Sequence, residues 1–467
     1  MQEFDEKQPD RRENVLRFER MLKNQERSFL DLDVYEQVVE HYIDAGNWDR
    51  ALEACNLGLD NFPYSLELLL DKGHLLAQNS KFEEAMEIMD RVSLFHPNDI
   101  DVLYMKAGIL SMTGEADEAI EIYESILQFA DEDEKDDILF QIGHTYQDVG
   151  KYDEAVEYYK KTIDLNINHE NALYELAFCL DITEKLESSL GYYESLIDRD
   201  PYSHNAWYNL GIVYSKLERF EDALHAYDYA CVIKDDFASA YFNMANAYMN
   251  LGKFPKANEC YLLTMAHEEP TADLYCHLGA SYEKMGYIAK AAECYREAIK
   301  IDNLWDESWH GLAACMMAKG KYIEGVSCIR KALKINEHSA DYWLLLGILE
   351  YKIGNTFSAD EAFAKSAELE PDFEDIWLKW SVMYFDQQNY ERAYELIEEG
   401  LDINPENADL YYRGVVYLMF KGNYKEALLY LEIAVTLDYE AHTQLFDFFP
   451  DLDRQKAIFK LIEQYRK

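Results

Sequence analysis

One spacing constrains this chain more than any other property. A short pattern, seen in Phe82-Glu83-Glu84-Ala85, returns with its alanine position at Ala51, Ala85, Ala119, Ala155, Ser189, Ala223, Ala257, Ala291, Gly325, Ala359, Ala393 and Ala427. Every interval is 34 residues except the 36 between Ala119 and Ala155. Twelve residues before each stands a second small-residue series: Gly73, Ala107, Gly143, Ala177, Gly211, Ala245, Gly279, Ala313, Gly347 and Ser381, with Val39 and Val415 at its ends. Sixteen before is a large apolar residue, including Trp207, Trp309, Trp343 and Trp377; four after is usually an aromatic, as at Tyr123, Tyr159, Tyr193, Tyr227, Tyr261, Tyr295 and Phe363. A fixed period of this length means one supersecondary unit used repeatedly.

The unit is a helical hairpin. Each repeat holds two apolar-periodic stretches of about 14 residues, split by a turn carrying Gly46, Gly114, Gly150, Gly252, Gly286, Gly320, Gly354 or Gly422. Small residues mark where two helices cross closely, and large aromatics fill the space beside the crossing. Pro63, Pro97, Pro201, Pro371 and Pro405 stand twelve residues after the alanine position and stop the second helix. One hairpin cannot bury its apolar face alone, so neighbours must stack.

The segment Trp207-Tyr208-Asn209-Leu210-Gly211-Ile212-Val213-Tyr214, with Ala223, Tyr227, Ala230 and Pro201, closely resembles the tetratricopeptide repeat. The resemblance covers 32–441 as twelve units and implies an all-α fold, a superhelical solenoid of tandem helical hairpins. It also implies that the first helix of each pair lines a concave groove. Glu184 and Glu218 replace the turn glycine, and Trp380 and Gly414 occupy the usual leucine slot. The expected organisation is a capping helix in 1–31, one continuous superhelix in 32–441 and a capping helix in 442–467.

Charge narrows the partners. The chain has 44 basic and 90 acidic residues, a net −46, with −31 in residues 1–230 and −15 in 231–467. Such a field repels phosphate backbones and anionic lipid surfaces, so nucleic acid is excluded as the expected partner and a basic protein segment is permitted. Gly 20 and Pro 9 are too few for a strand-and-turn architecture, while 49% hydrophobic residues can build a large core. No apolar run approaches the length of a membrane span, and the acidic start Met1-Gln2-Glu3-Phe4-Asp5-Glu6 does not read as a secretory signal. A cytoplasmic location is expected.

Residues 9–30 read as one amphipathic helix, with Val15, Phe18, Leu22 and Phe29 on one stripe. At the other end, Leu445, Phe446, Phe448 and Phe449 precede a break at Pro450, followed by Ile458, Leu461, Ile462 and Tyr465. Open solenoid ends need covering, so both segments are expected to cap. The acidic insertion Asp131–Asp137 lacks the glycine and glutamate of a calcium loop, having Asp136 and Ile142 at those positions. Of eight cysteines none forms a CxxC pair, and Cys260, Cys294 and Cys328 share one repeat position, which predicts small buried thiols and not disulfides. Cys276, His277 and His310 project from consecutive first helices without a fourth ligand, so no metal and no cofactor is expected.

No phosphate loop, dinucleotide fingerprint, nucleophile elbow or HExxH stands in the sequence. Enzymes of the repeat family that carry such units have a separate catalytic domain. A non-enzymatic chain is therefore expected.

Function should reside on the position fifteen before each alanine, which the resemblance implies looks inward. It reads Glu36, Leu70, Tyr104, Phe140, Tyr174, Tyr208, Phe242, Cys276, His310, Leu344, Leu378 and Tyr412. Aromatics run through five consecutive repeats. Three residues earlier an acidic series is interrupted at Asn171, Asn205 and Ser239, in the same repeats, and Asn209, Asn243 and Asn246 add amides. One reading is a neutral groove in which amides bond an extended peptide and rings take its side chains. The other is ordinary packing, since acidic residues near helix starts also complement the helix dipole. The candidate partner-binding residues are Tyr104, Phe140, Tyr174, Tyr208, Asn209, Phe242, Asn243 and Asn246. No repeat carries the basic pair with which chaperone-tail-binding members of the family clamp a terminal carboxylate. The expected function is a protein–protein interaction scaffold. Its alternatives are a regulatory or assembly subunit of an enzyme complex, or an acidic chaperone or adaptor for a basic client.

Overall fold

The computed structural model describes residues 8–24, 30–449 and 456–465. The described residues form helices and connecting turns, with no strand among them. After a first helix, Gln8–Asn24, twelve helical hairpins follow, from Leu32–Asp44 with Trp48–Asn61 to Ala408–Lys421 with Tyr424–Leu437. Two short helices, Thr443–Phe448 and Lys456–Gln464, complete the order. By contact the chain divides into two compact units, 1–235 and 236–467. Six hairpins fall in each.

The repeat signals act where the sequence put them. A Cβ added at Gly211 would stand 2.5 Å from the Tyr227 ring, and one at Gly347 would stand 2.8 Å from Phe363. The small series is therefore what lets the two helices of a hairpin close on the aromatic four after the alanine. Tyr123, Tyr159, Tyr193, Tyr227, Tyr261 and Phe363 are fully buried in return, each contributing roughly 2–3 kcal/mol of apolar burial. Asn61, Arg199, Leu369 and Ile403 end second helices two residues before a proline.

Every hairpin turns through a left-handed residue. Glycine supplies eight of these, but Ser80, Glu184, Glu218 and Gln388 adopt φ of 57°, 55°, 58° and 60° without it. A Cβ there meets the following carbonyl and costs about 1–2 kcal/mol. The repeat imposes its turn on residues that resist it.

In the first unit, Phe18 is fully buried with its ring edge-on to Tyr35 at 6.3 Å and Tyr42 at 6.4 Å, so the first helix covers the first hairpin. That helix ends at Asn24, shorter than the span 9–30 read from the sequence; Phe29 lies outside the described residues. In the second unit, Leu445, Ile458 and Ile462 are buried in one core with Leu418 and Leu431 of the last hairpin. Pro450 lies outside the described residues.

Candidate functional site: the inward-facing helix positions

In the first unit the candidate rings stand on the first helices of hairpins three to six: Ile100–Thr113, Lys135–Asp148, Glu170–Ile182 and His204–Lys216. Asp99 and Ser203 cap two of these starts, accepting from Val102 N and Ala206 N, and His169 does the same with a ring nitrogen, its Nδ1 accepting from Ala172 N at 3.1 Å. These caps fix where each helix begins, and so where the ring four or five residues on is placed.

The rings are not equivalent. Tyr104 packs on Tyr123 at 5.6 Å, Phe140 on Tyr159 at 5.6 Å and Tyr208 on Tyr227 at 5.9 Å, each against the buried aromatic of its own hairpin. All three are half-buried. Tyr174 breaks the series: it is 59% exposed and makes no ring contact or hydrogen bond among the described residues. Its counterpart Tyr193 is fully buried, and the Tyr193 hydroxyl has no hydrogen-bond partner among the described residues.

The amides differ from expectation. Asn209 is 3% exposed, its Nδ2 donating to Asn205 O at 2.9 Å, while its buried Oδ1 accepts no hydrogen bond among the described residues. It presents no amide at the surface, because its helix packs the residue after Tyr208 into the hairpin. Asn205, which interrupts the acidic series, is also buried and donates to Glu170 Oε1 at 3.2 Å. Asn171 alone of that pair is exposed. The gap in the acidic series is therefore flanked by the carboxylate of Glu170.

Electrostatics differ sharply one turn of the repeat away. In hairpins one and two, burial together with Glu36, Glu40 and Glu67 pushes the Asp71 carboxyl up to about 6. Four carboxylates share this face. Sequence reading also missed the cluster between hairpins four and five, where His169 faces Asp137 at 3.6 Å and the Phe140 ring at 4.9 Å. Their spacing, a helix start in one repeat and a cap in the next, was the available signal.

The remaining candidates belong to the second unit and are half-buried there. Phe242 packs on Tyr261 at 5.8 Å and His277 at 5.2 Å. Asn246 Oδ1 accepts from the Tyr261 hydroxyl at 2.6 Å, and Asn243 stands one position after Phe242. Further along, Cys276, Leu344 and Tyr412 are buried, so the inward position of those hairpins is core. Of the group Cys276, His277 and His310, the thiol is held up to about 12 by burial; His277 pairs with Asp273 at 3.2 Å and His310 with Asp341 at 3.1 Å. The two histidines each have their own carboxylate.

Sequence models of the tetratricopeptide repeat match residues 42–109, 137–169, 192–225, 238–263 and 272–303, in both units. A comparison with curated proteins gives no match. Among solved structures, the Cut9–Hcn1 hetero-tetramer of the APC/C is 15% identical, covering 85% of this chain and 97% of that chain at a TM-score of 0.41. YrrB, described as a tetratricopeptide-repeat protein with an unusual peptide-binding site, is 20% identical over 39% of this chain and 95% of that chain, TM-score 0.34. A tetratricopeptide repeat protein from Parabacteroides merdae is 17% identical over 53% and 98%, TM-score 0.41. With its period, its twelve hairpins and these family matches, the chain belongs to the tetratricopeptide-repeat family.

Proposed function

We propose that the chain is a non-catalytic protein–protein interaction scaffold whose first unit holds an extended partner segment along hairpins three to six. One observation carries this reading. Tyr174 is 59% exposed at a repeat position where its neighbours are half-buried against their own hairpins. An unshielded ring with a polar tip is a favourable contact for a passing peptide. Half-buried Tyr104, Phe140 and Tyr208 flank it, and exposed Asn171 supplies an amide. The first helix and the last two act as caps. The free cysteines, seven of them buried, fit a reducing compartment such as the cytoplasm.

Affinity purification of the intact chain, followed by mass spectrometry, would identify the partner. Tyr174→Ala with Tyr208→Ala should then weaken capture by roughly 1–3 kcal/mol, in the range of interface hot spots. Capture unchanged at wild-type helicity would sink the assignment.

A second reading has its own observation. Burial first, and then repulsion from Glu36, Glu40 and Glu67, lifts Asp71, and a cationic segment lying over these carboxylates would relieve the repulsive part. Capture of such a basic client should fall steeply as salt rises above physiological strength.

A further inference from the structure

Four hairpins fill one particular slot with their own tryptophan. Trp207, Trp309, Trp343 and Trp377, sixteen before the alanine position, each donate the indole N–H to a carbonyl six residues back. The acceptors are Pro201 at 3.0 Å, Asn303 at 3.0 Å, Glu337 at 2.8 Å and Pro371 at 2.8 Å. In two of them the residue six after the alanine position covers the ring: Tyr229 stacks on Trp207 at 4.5 Å, and the Lys331 ammonium lies 3.9 Å over Trp309. The equivalents in the other two, Lys365 and Glu399, pair with Glu368 and Arg392. At Trp207 and Trp309 the slot therefore has three parts: an indole, a carbonyl that accepts from it, and a ring or cation above it.

Hairpin two has the second and third parts without the first. Leu69 stands where the indole would, Pro63 supplies the equivalent carbonyl, and Arg91 occupies the covering position. A cavity of about 320 Å³ opens there, lined by Pro63, Tyr64, Leu69, Arg91, Phe95 and His96 among others. Its size is at the low end for ligand clefts, which suits one side chain.

The cavity has a local cause. The second helix of this hairpin ends at Ser93, four residues before Pro97, with Ser93 Oγ donating to Met89 O at 2.7 Å. Leu94 and Phe95 are left 78% and 68% exposed, and Tyr64, 81% exposed, meets the Phe95 ring edge-on at 6.3 Å. Exposed apolar groups grouped around a cavity mark interaction surfaces more than scattered ones do.

Charge selects the occupant further. The residues lining the cavity include no carboxylate, whereas Glu194, Asp198 and Asp222 line the cleft beside Trp207. Arg91 makes no ion pair or hydrogen bond among the described residues, and the adjacent Asp90 is already held by Lys106 at 2.7 Å. Leucine also stands in the slot at Leu103, Leu139 and Leu173. There Ser125 and Ser195 replace Arg91, and Lys161 is committed to the Tyr158 ring at 3.9 Å.

We propose that this cleft takes the indole of a tryptophan supplied by a partner protein, in a segment that is acidic beside that tryptophan. The indole N–H donates to the Pro63 carbonyl, the ring lies under the Arg91 guanidinium between Tyr64 and Phe95, and a flanking carboxylate meets Arg91. The site is separate from the inward-facing rings of hairpins three to six and does not depend on them.

The test uses the full chain and the peptide acetyl-Asp-(5-fluoro-Trp)-Asp-amide, followed by fluorine NMR. Wild type should broaden the fluorine resonance saturably. Leu69→Trp, which fills the slot as hairpins six, nine, ten and eleven do, should bind at least roughly tenfold more weakly and melt no lower than wild type. Arg91→Glu, a surface change that leaves packing intact, should weaken the same probe at least roughly fivefold and carries the test should Leu69→Trp fail to fold. Absence of broadening by wild type, or equal binding by wild type and Arg91→Glu, would overturn the proposal. So would equal binding of a probe with 4-fluoro-phenylalanine in place of the tryptophan.

Discussion

The two units repeat one hairpin and yet fill its inward position to different depths: three of the six are buried in the second unit, where Phe242, His310 and Leu378 are half-buried, and none of the six is buried in the first. In the second unit Cys276, Leu344 and Tyr412 are 6%, 6% and 2% exposed there, and the Tyr412 hydroxyl donates to Asp438 O at 2.6 Å. In the first unit Tyr174 is 59% exposed and Tyr104, Phe140 and Tyr208 are half-buried. Strain follows the same division. Three of the four non-glycine left-handed turns, Ser80, Glu184 and Glu218, belong to the first unit. So do the unpartnered Tyr193 hydroxyl and Asn209 Oδ1, although Trp305 Nε1 and Arg413 Nη1 lack partners in the second. The second unit buries a full charge and answers it: Glu350, 1% exposed, accepts from Arg330 at 2.6 Å and from Asn355 at 3.0 Å. Register decides where a side chain starts; neighbours decide whether it ends in core or at the surface. Departures from local ideality gather in the unit proposed to bind, as expected where function competes with packing.

The comparison can be broken most forcefully at Glu350. Arg330→Met leaves a buried carboxylate with Asn355 as its remaining side-chain donor, and should destabilise the second unit by about 3 kcal/mol in urea unfolding. A loss below about 0.5 kcal/mol would mean the pair is an ordinary surface bridge.

In the first unit the changes should instead stabilise. A folded Asp71 near 6 against an ordinary 3.8 means that the folded state holds this proton more tightly. Its cost is therefore full above about 6 and disappears below the unfolded value. Asp71→Asn should gain about 1 kcal/mol at pH 7.5, after allowance for solvent screening, and nothing at pH 3.5. Equal gains at both would remove the charge from the explanation. Tyr193→Phe deletes the unpartnered hydroxyl and should gain roughly 1 kcal/mol, read as a rise in the urea midpoint at unchanged slope. Smallest of all, Glu184→Gly relieves the left-handed turn but adds unfolded-state freedom, leaving a net gain of about 0.5 kcal/mol. The same measurement on Gly320→Glu should show a loss.

How much of this was legible beforehand follows from what a period can encode. The turn positions were readable even at Glu184 and Glu218, because register outweighs the preference of one residue. The close crossings were readable at Gly211 and Gly347, because only a small side chain fits beside Tyr227 and Phe363. Exposure was not. Nothing in the residue type separates Tyr174 from Tyr208, since the difference lies in which neighbour ring each finds. Asn209 read as a groove amide and is buried, because a helix face is about 100° wide and adjacent residues fall on either side of its edge. Leu344 read as an inward position equivalent to Tyr174 and is core. The cavity of hairpin two depends on a helix ending at Ser93, a boundary the proline at Pro97 does not set.

The central claim is that one repeat position is closed core at Leu344 in the second unit and open surface at Tyr174 in the first. Leu344→Ala and Tyr174→Ala, each unfolded in urea against wild type, test it without knowledge of the partner. Leu344→Ala should lose about 2–5 kcal/mol, the cost of a cavity in a closed core, while Tyr174→Ala should stay within about 0.5 kcal/mol of wild type. Equal losses from the two would contradict the account and return Tyr174 to the hairpin core.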